Sequence, residues 1–264
     1  MQEMKLTDKH CAMTYMVYDE PQIEDFSKHM HLDYELLYFV RGEAEYHIEA
    51  QAFTLRPHDL VFIPPNQYHY LRPLSQAAYE RYVINFEPRI LPGENQMRID
   101  DLPTVMNIEG NRLLRDCFEK LSDYTVRFSE ADARLMLRGA LREILLCLLY
   151  ETPVSESSRI RHNPIIDRII ALIDEHPERE WSAEALSAEL FLSKSHIQNT
   201  FSRYMDIGLK SYINSKKVLY AQALLLAGDR PADVCEACGF HDYSTFYRLY
   251  RKVTGTTPTS TGRE

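Results

Sequence analysis

The stretch Leu186-Ser-Ala-Glu-Leu-Phe-Leu-Ser193-Lys-Ser-His-Ile-Gln-Asn-Thr-Phe201 decides the fold of the C-terminal part of this chain. It has the pattern of a short apolar helix, a tight turn and a second helix whose polar residues surround a few buried ones. The same pattern returns in Val234-Cys-Glu-Ala-Cys-Gly239-Phe240-His-Asp-Tyr-Ser-Thr-Phe246-Tyr-Arg-Leu-Tyr250. Two such units predict a double helix-turn-helix module, in which the second helix of each unit enters a DNA major groove.

The residues around these two units also favour short helices, and we find no strand pattern after position 163. Pro164 suits a first helical turn, and the isoleucines that follow it form an apolar stripe. Ser182 and Ser193 are expected to cap the two helices of the first unit. Further helices are predicted at about 210–226, 233–238 and 243–253.

Helical spacing separates the inward residues of each second helix from the residues that can reach DNA. Ile197 and Phe201 point inward in the first unit, and Phe246 and Tyr250 in the second. Gln, Asn and Arg side chains can pair with base edges, whereas Ser, Thr, Lys and Tyr mostly contact phosphates. For any single position an ordinary solvated polar face is an equal alternative. The candidate DNA-binding residues are Ser193, Lys194, Ser195, His196, Gln198, Asn199, Ser202, Arg203, His241, Tyr243, Ser244, Thr245, Tyr247 and Arg248.

The segment from about Leu186 to Pro258 resembles the DNA-binding domain of the arabinose-regulator (AraC/XylS) family. Because many matches occur in the family's order, the resemblance is more specific than a single short motif. It implies two recognition helices that enter successive major-groove faces about 34 Å apart. The matching residues are Phe201, Tyr212, Ala221, Leu224, Leu225, Gly239, Phe240, Ser244, Phe246, Lys252, Gly255 and Pro258.

Three positions inside the domain depart from the family pattern, and the family's terminal aromatic-Arg signature is reduced to Thr261-Gly-Arg263. Asp206 stands where the family usually has Gly, so we expect a different turn after the first recognition helix. Lys217 replaces an Arg of the connecting helix, which removes a bidentate donor. Pro231 replaces an apolar residue at the start of a helix, where Pro is tolerated.

Composition and charge place limits on the class of protein. A chain of 264 residues predicts two domains, and its net charge of −9 argues at first against DNA as a partner. From Leu190 to the end, however, ten Lys and Arg face six Asp and Glu, so this part carries about +4 and the remainder about −13. Five cysteines without framework spacing, no long apolar run and no signal-peptide pattern predict a cytoplasmic protein that has no membrane partner.

The N-terminal part is rich in strand patterns. Short apolar or alternating runs lie between about 34 and 86, and prolines mark the turns between them, so a small barrel or sandwich is expected. Helices are predicted at 111–126 and 130–150, and polar residues 152–163 are predicted to be a linker. The second helix carries an apolar stripe, which we expect to bury against the barrel, the preceding helix or a second subunit. The stripe is Leu137, Leu141, Ile144, Leu145 and Leu148.

Histidines and prolines of this half resemble the two motifs of the cupin barrel, H-x-H-x3-E-x6-G and G-x5-P-x-G-x2-H. The first is carried by His29, His31, Glu35 and Gly42, and the second by Pro64 and His69, with His58 and Asn66 at its glycine positions. In metal-binding cupins the equivalents of His29, His31, Glu35 and His69 hold one divalent metal. In regulators of this family the same residues can instead hold a small polar effector.

We therefore expect His29, His31, Glu35, Tyr38 and His69 to bind an effector such as a sugar, with a divalent metal at the two-histidine motif as the alternative. The neighbouring tyrosines 34, 46 and 68 are candidates too, although ordinary core packing explains each of them singly. Cys235 and Cys238 suggest a redox or zinc pair, but small buried hydrophobic side chains are the favoured explanation.

The sequence thus predicts an α+β protein with a cupin-like sensing barrel (1–100), a helical dimerisation or packing segment (101–151), a linker (152–163) and an all-α double helix-turn-helix domain (164–264). The predicted function is sequence-specific DNA binding under effector control, with RNA polymerase and a second copy of the chain as expected partners. One alternative is a metal-dependent cupin isomerase or dioxygenase that carries a DNA-binding domain. Another is a ligand-independent dimeric regulator. Whether transcription is activated or repressed stays open.

Overall fold

The computed structural model describes residues 1–151 and 163–261. These residues form two compact units: the first comprises 1–29 and 33–151, and the second comprises 163–261 together with residues 30–32. The first unit is rich in strands and the second is helical, which confirms the predicted α+β class. Except for Asn163, the predicted linker lies outside the described residues. No helix in either described range is long and apolar enough to cross a membrane.

Nine strands of the first unit form two antiparallel sheets. The larger sheet has six strands in the order β1-β2-β8-β3-β6-β9, and the smaller has three in the order β5-β4-β7. Antiparallel sheets of this kind close around a shared interior, as the sequence predicts. The strands are β1 (Gln2–Thr7), β2 (Cys11–Tyr18), β3 (Tyr34–Arg41), β4 (Ala44–Ile48), β5 (Gln51–Thr54), β6 (Asp59–Ile63), β7 (His69–Pro73), β8 (Tyr79–Phe86) and β9 (Val105–Asn107).

Alternation along the strands gives the six-stranded sheet two different faces. Leu36 of β3 and Ile84 of β8 belong to one buried cluster, which also includes residues of the helices that follow the barrel. Leu37 and Val61 belong to the other cluster, which fills the space toward the three-stranded sheet. A side chain of β8 at an odd position therefore faces the barrel interior, and its neighbours face the helices.

Two long helices pack on the outer face of the six-stranded sheet. A short helix, α1 (Glu94–Met97), precedes α2 (Arg112–Arg127) and α3 (Glu130–Glu151). The predicted apolar stripe of α3 is buried inside this unit, in the same cluster as Phe118 of α2 and Phe86 of β8. This finding decides between the alternatives for the stripe, because it packs within the chain and is not left open for a second subunit.

Four strands lie where the sequence analysis predicts none. The N-terminal hairpin of β1 and β2 pairs with β8, β7 pairs with β4, and β9 extends the large sheet beside β6. β1 mixes polar and apolar residues because it is an edge strand, whereas β2 is an inner strand and largely apolar. Because β9 lies within it, the segment 101–151 is not helical throughout. The three residues of β9 are too few to give a periodic pattern in the sequence.

The second unit consists of helices α4 (Pro164–Glu175), α5 (Ala183–Leu190), α6 (Lys194–Met205), α7 (Leu209–Leu226), α8 (Pro231–Ala237) and α9 (Tyr243–Thr254). The predicted caps are confirmed, since Ser182 accepts a hydrogen bond from Ala185 N at 3.1 Å and Ser193 one from His196 N at 3.3 Å. Helices α5 with α6 and α8 with α9 are the two predicted helix-turn-helix units, and α7 connects them.

The structure shows how the three positions that depart from the family pattern are accommodated. Asp206 ends α6 with φ +53°, so it adopts the left-handed conformation for which glycine is favoured. Lys217 of α7 donates a hydrogen bond to Gly239 O at 3.0 Å, and its ammonium lies 4.7 Å from the centre of the Phe240 ring. Lys217 therefore connects α7 to the turn of the second helix-turn-helix through one hydrogen bond, where an Arg could donate two. Pro231 occupies the first turn of α8, as expected.

Candidate nucleic-acid interface and effector pocket

Helix α6 presents one buried and one exposed face. Ile197, Thr200 and Phe201 are buried in the unit's core. Every candidate DNA-binding residue that the sequence analysis assigns to this unit is exposed, which leaves its polar atoms accessible to a duplex. These residues are Ser193, Lys194, Ser195, His196, Gln198, Asn199, Ser202 and Arg203.

Helix α9 repeats this arrangement. Phe246 and Tyr250 are fully buried, and the Asp242 carboxylate caps the helix by accepting a hydrogen bond from Thr245 N at 2.7 Å. These backbone hydrogen bonds lower the pKa of Asp242. The candidates His241, Tyr243, Ser244, Thr245 and Arg248 are exposed, whereas Tyr247 is half-buried.

The exposed cations of these two helices are held only by surface contacts. Lys194 Nζ lies 2.7 Å from Glu184 Oε1, and Arg248 Nε is 3.4 Å from Ser244 O. The Arg203 guanidinium lies 5.2 Å from the centre of the Tyr204 ring. Exposed pairs of this kind contribute little to stability, so phosphates can replace these partners at small cost.

A groove of about 630 Å³ lies between the two helix-turn-helix units. Gln198 of α6 and Thr245 of α9 both line it, together with Lys210 and Lys217 of the connecting helix. Lys210 was not among the sequence candidates, because it stands outside both helix-turn-helix patterns. Its position at the exposed start of α7 gives the groove a further positive charge.

A second cavity, of about 420 Å³, lies in the strand-rich unit. Residues of β1, β2, β3, β4, β7 and β8 line it, and the segment before β3 contributes the remaining wall. Much of the lining is polar or charged, which suits a small polar ligand. The lining residues are Lys5, Thr14, Met16, Asp25, Phe26, Ser27, His29, Glu35, Tyr46, Tyr70, Leu71, Arg81, Val83 and Asn85.

The two cupin-like motifs converge at this cavity. One ligand atom from each of His29, His31, Glu35 and His69 lies within 4.8 Å of the others. His29 Nδ1 is 2.9 Å from Ser27 O, and His69 Nδ1 is 2.8 Å from Gln67 O. A carbonyl oxygen only accepts, so each Nδ1 carries the proton and each Nε2 keeps its lone pair. The donor set therefore fits a divalent cation.

Glu35 is the buried acid of this group. Tyr46 OH donates to its Oε1 at 3.0 Å, Asn85 Nδ2 donates to Oε2 at 3.1 Å, and His69 Nε2 lies 3.6 Å from Oε2. The hydrogen bonds from Tyr46 and Asn85 thus hold the carboxylate in one position, with His69 beside it. Burial, followed by the charge of Glu35, raises the pKa of the Tyr46 hydroxyl well above its usual value, so this tyrosine stays a donor at neutral pH.

The other candidate tyrosines lie elsewhere. Tyr38 is on the helix-facing side of β3, where its hydroxyl is 2.7 Å from His58 Nδ1 and its ring is 4.5 Å from that of Phe118. Tyr34 also faces that side and donates to Asp100 Oδ1 at 2.8 Å. Tyr68 is buried but does not line the cavity. Tyr38 is therefore wrongly placed in the expected effector set, because strand alternation turns it away from the interior.

Arg81 and Asn85 of β8 are lining residues that the sequence analysis missed. A signal for them existed, since Tyr82, Ile84 and Phe86 alternate as an apolar set and the odd positions must face the opposite side. Thr14 and Lys5 come from the N-terminal hairpin, which the sequence analysis did not predict, so no pattern pointed to them.

The cysteine pair of α8 behaves as the favoured explanation predicts. Cys235 and Cys238 are buried in the core that includes Phe246 and Tyr250. Burial raises the pKa of Cys238 to about 11 and also raises the pKa of Cys235. Both thiols are therefore protonated at neutral pH, which disfavours metal ligation and redox exchange.

Comparisons with known proteins agree with this architecture. The model of the AraC-like ligand binding domain matches residues 15–145, and that of a helix-turn-helix domain matches residues 186–264. Among curated relatives, the HTH-type transcriptional regulator ExsA of Pseudomonas aeruginosa is 24% identical over 234 residues, which are 83% of this chain and 82% of ExsA.

The arabinose operon regulatory protein of Salmonella typhimurium is 23% identical over 229 residues, covering 83% of this chain and 79% of that protein. The crystal structure of ToxT from Vibrio cholerae aligns with a TM-score of 0.40 and 12% identity, over 96% of this chain and 97% of that one. The chain belongs to the AraC family of transcriptional regulators, with an N-terminal ligand-binding domain and a C-terminal helix-turn-helix domain that binds DNA.

Proposed function

We propose that this chain binds operator DNA through the exposed faces of α6 and α9, and that a small polar effector in the barrel changes this binding. The observation that carries the proposal is a repeated arrangement. Each of the two helices has a capped N-terminus, a buried apolar face and an exposed polar face. Two such helices read two blocks of the major groove about one helical turn apart. RNA polymerase is then recruited or blocked, and the active species is a homodimer.

Within this proposal the exposed residues divide by chemistry. Gln198, Asn199, Arg203 and Arg248 make paired hydrogen bonds to base edges. The hydroxyl and lysine side chains, together with His196 and His241, hold phosphates and fix the register of the protein on the duplex. Lys210 adds a phosphate contact from the groove between the two units.

The first experiment is genome-wide in vitro selection, in which fragments bound by the purified protein at moderate salt are sequenced. We expect a shared site with two reading blocks about one helical turn apart. If no sequence is enriched, with or without pooled metabolites, the operator-binding proposal is wrong. The genes beside enriched sites would also indicate the class of effector.

The second experiment tests the reading helices with matched variants. Gln198→Ala and Arg248→Ala should each weaken binding to the selected site by about 10- to 100-fold and relax base preference at one position. Arg168→Ala is the control, because it removes an exposed positive charge from α4 of the same unit. Equal losses in the control and the reading variants would show that only overall charge matters.

The effector proposal depends on the polar lining of the barrel cavity. Thr14, Tyr46 and Asn85 offer hydroxyl and amide groups, while His29 and Glu35 offer further donors and acceptors. A ligand with several oxygen atoms, such as a sugar, satisfies groups of this kind better than an apolar molecule does. The buried His69 and the partly buried His31, which lie close to His29 and Glu35, complete the proposed site.

A second candidate function is metal-dependent chemistry in the barrel. The convergence of His29, His31, Glu35 and His69 favours it. A divalent cation held there would act as a Lewis acid on an oxygen of the bound molecule. Metal content of the purified protein, compared with a His29→Ala/His31→Ala variant, tests the site. Turnover on a panel of sugars and phenolic compounds that this variant loses would favour an enzyme; metal without turnover would leave the cation as part of the effector site.

A further inference from the structure

We propose that the effector carries a carboxylate group and that Arg81 recognises it. This inference rests on the proposed effector site and narrows its ligand class from polar molecules in general to small organic acids, acidic sugars among them. It is carried by the position of one guanidinium in the barrel cavity and by what surrounds it.

Arg81 lies at an odd position of β8, so its side chain enters the barrel interior, where it lines the cavity. Its Nη2 is 3.6 Å from the sulfur of Met16, which is a weak acceptor. Its Nε is buried and has no hydrogen-bond acceptor among the described residues. A buried charged donor without a good acceptor is costly, so an acceptor oxygen from a ligand would be stabilising here.

Aromatic rings hold the guanidinium in place. Its Cζ lies 5.2 Å from the centre of the Phe26 ring and 5.7 Å from that of Tyr79. Such contacts fix the orientation of the plane. The Tyr79 hydroxyl and the charge of Glu35 also interact with the guanidinium, while its Nε–H has no acceptor among the described residues. A planar fork with free donor capacity matches the two oxygens of a carboxylate, which accept from it in parallel.

The acids of the cavity already have partners. Glu35 accepts from Tyr46 and Asn85, and Asp25 Oδ2 accepts from Gln22 N at 2.8 Å. The other cation, Lys5, lies 2.9 Å from Glu3 Oε1. Arg81 interacts with the charge of Glu35, but its buried Nε–H lacks an acceptor among the described residues, so among these charged groups it is the one that an acceptor oxygen of a ligand would stabilise most.

The same acids argue for a carboxylate over a phosphate. A dianionic phosphate beside Glu35 and Asp25 would meet two like charges against one guanidinium. A carboxylate meets the same two acids but carries only one charge, so its repulsion from them is smaller. The remaining lining, with Leu71 and Val83 next to Thr14, accepts a small body that is partly apolar and partly hydroxylated.

The test uses simple probes that any carboxylate site of this kind should accept. The thermal unfolding of the full chain is followed while acetate, propionate or benzoate is titrated against chloride at constant ionic strength. The corresponding amides serve as neutral controls of the same shape. We expect saturable stabilisation by at least one acid and none by its amide. Arg81→Gln should raise the half-saturating concentration of that acid about 10- to 100-fold.

Arg89→Gln is the matched variant, because Arg89 is an exposed arginine of the same unit that pairs with Glu87 and does not line the cavity. The response of this variant should equal that of the wild type. The proposal is overturned if no acid stabilises the wild type, if the amides do so equally, if sulfate or phosphate does so as well as the acids, or if Arg81→Gln responds unchanged. If Arg81→Gln does not fold, the comparison of acids with amides in the wild type still decides.

Failure of this inference is separable from failure of the proposed function. Operator selection depends on α6 and α9, and the acid titration on β8. Enriched operator sites with no acid response would leave the regulator proposal standing and remove the carboxylate. An acid response that depends on Arg81, without any enriched operator site, would support the carboxylate site and contradict the operator-binding proposal.

Discussion

At the scale of single residues, backbone conformation singles out positions that would suit glycine. Glu49, His58, Asn66, Phe191 and Asp206 all have positive φ among the described residues. For side chains other than Gly, and to a lesser degree Asn and Asp, this region costs about 1–2 kcal/mol. Two of them, His58 and Asn66, occupy the glycine positions of the second cupin motif, and Asp206 occupies a glycine position of the DNA-binding domain.

Phe191 gives the clearest prediction, because its side chain is 94% exposed and its φ is +55°. Phe191→Gly should raise the free energy of unfolding by about 0.5–1 kcal/mol, since it relieves the left-handed backbone and loses almost no burial. Urea denaturation measures the change. Phe191→Ala keeps the Cβ atom and should leave stability nearly unchanged, so equal effects of the two variants would contradict this explanation.

These positions also show what the sequence alone could reveal. His58, Asn66 and Asp206 stand at glycine positions of the motifs, so the location of the turns that contain them could be predicted from the sequence. Nothing in the pattern around Phe191 distinguished it, because an exposed aromatic residue in a turn has no periodic signal. Arg81 is a different case, because the alternation of Tyr82, Ile84 and Phe86 places it on the opposite face of β8, but only the structure shows that this face meets the cavity.

At the scale of elements, helix caps and buried stripes decide which helices are stable. Asp242 caps α9, and its backbone hydrogen bonds lower its pKa from the ordinary value of 3.8. A lowered pKa means that its stabilising contribution is fully present above pH 3.8 and is lost as the pH falls through the lower value in the folded protein.

Asp242→Ala should therefore reduce the urea midpoint at pH 7, and the difference from the wild type should shrink as the pH falls below 3.8. Ser193→Ala removes the neutral cap of α6 and is the control, because its effect should not change over the same pH range. A difference for Asp242→Ala that stayed constant down to pH 2.5 would contradict the role of its charge.

The apolar stripe of α3 gives a prediction about burial. Leu141 is fully buried, whereas Leu135 of the same helix is 61% exposed. Leu141→Ala should lower the free energy of unfolding by about 2–5 kcal/mol, and Leu135→Ala by less than about 0.5 kcal/mol. Urea denaturation at several protein concentrations measures both. If the loss at Leu141 grew with dilution, the stripe would belong to an interface between subunits instead.

This helix shows how far element prediction reaches. The period of 3.6 residues located the stripe and both long helices, but three partners could satisfy the same pattern. The structure shows that the stripe packs within the chain, because it lies in one cluster with apolar residues of β3 and β8. β1 was missed because an edge strand lies partly in solvent, so its mixed composition resembles a loop. The apolar run of β2 was a strand signal that the prediction did not use.

At the scale of the whole molecule, the charge is divided between the two halves. The part after Leu190 carries about +4 in a chain whose net charge is −9. Attraction to DNA therefore acts locally, and the acidic remainder disfavours nonspecific binding along the duplex. Control by an effector then requires a coupling free energy between ligand binding in the barrel and operator binding.

Thermodynamic linkage makes this coupling testable in both directions. If acetate at the Arg81 site changes operator affinity by some factor, the operator must change acetate affinity by the same factor. Operator affinity is measured by fluorescence anisotropy with acetate or chloride at constant ionic strength. Acetate affinity is measured by calorimetry with and without operator DNA. We expect equal factors in the wild type and in Arg89→Gln, and a factor near one in Arg81→Gln.

A factor of one in the wild type, with both ligands bound, would mean that the barrel does not control DNA binding. The chain would then be a regulator whose barrel serves another purpose, and metal binding by His29, His31, Glu35 and His69 would be tested next. Unequal factors would show that the two measurements do not follow the same equilibrium, because the coupling between one acetate site and one operator site must be reciprocal.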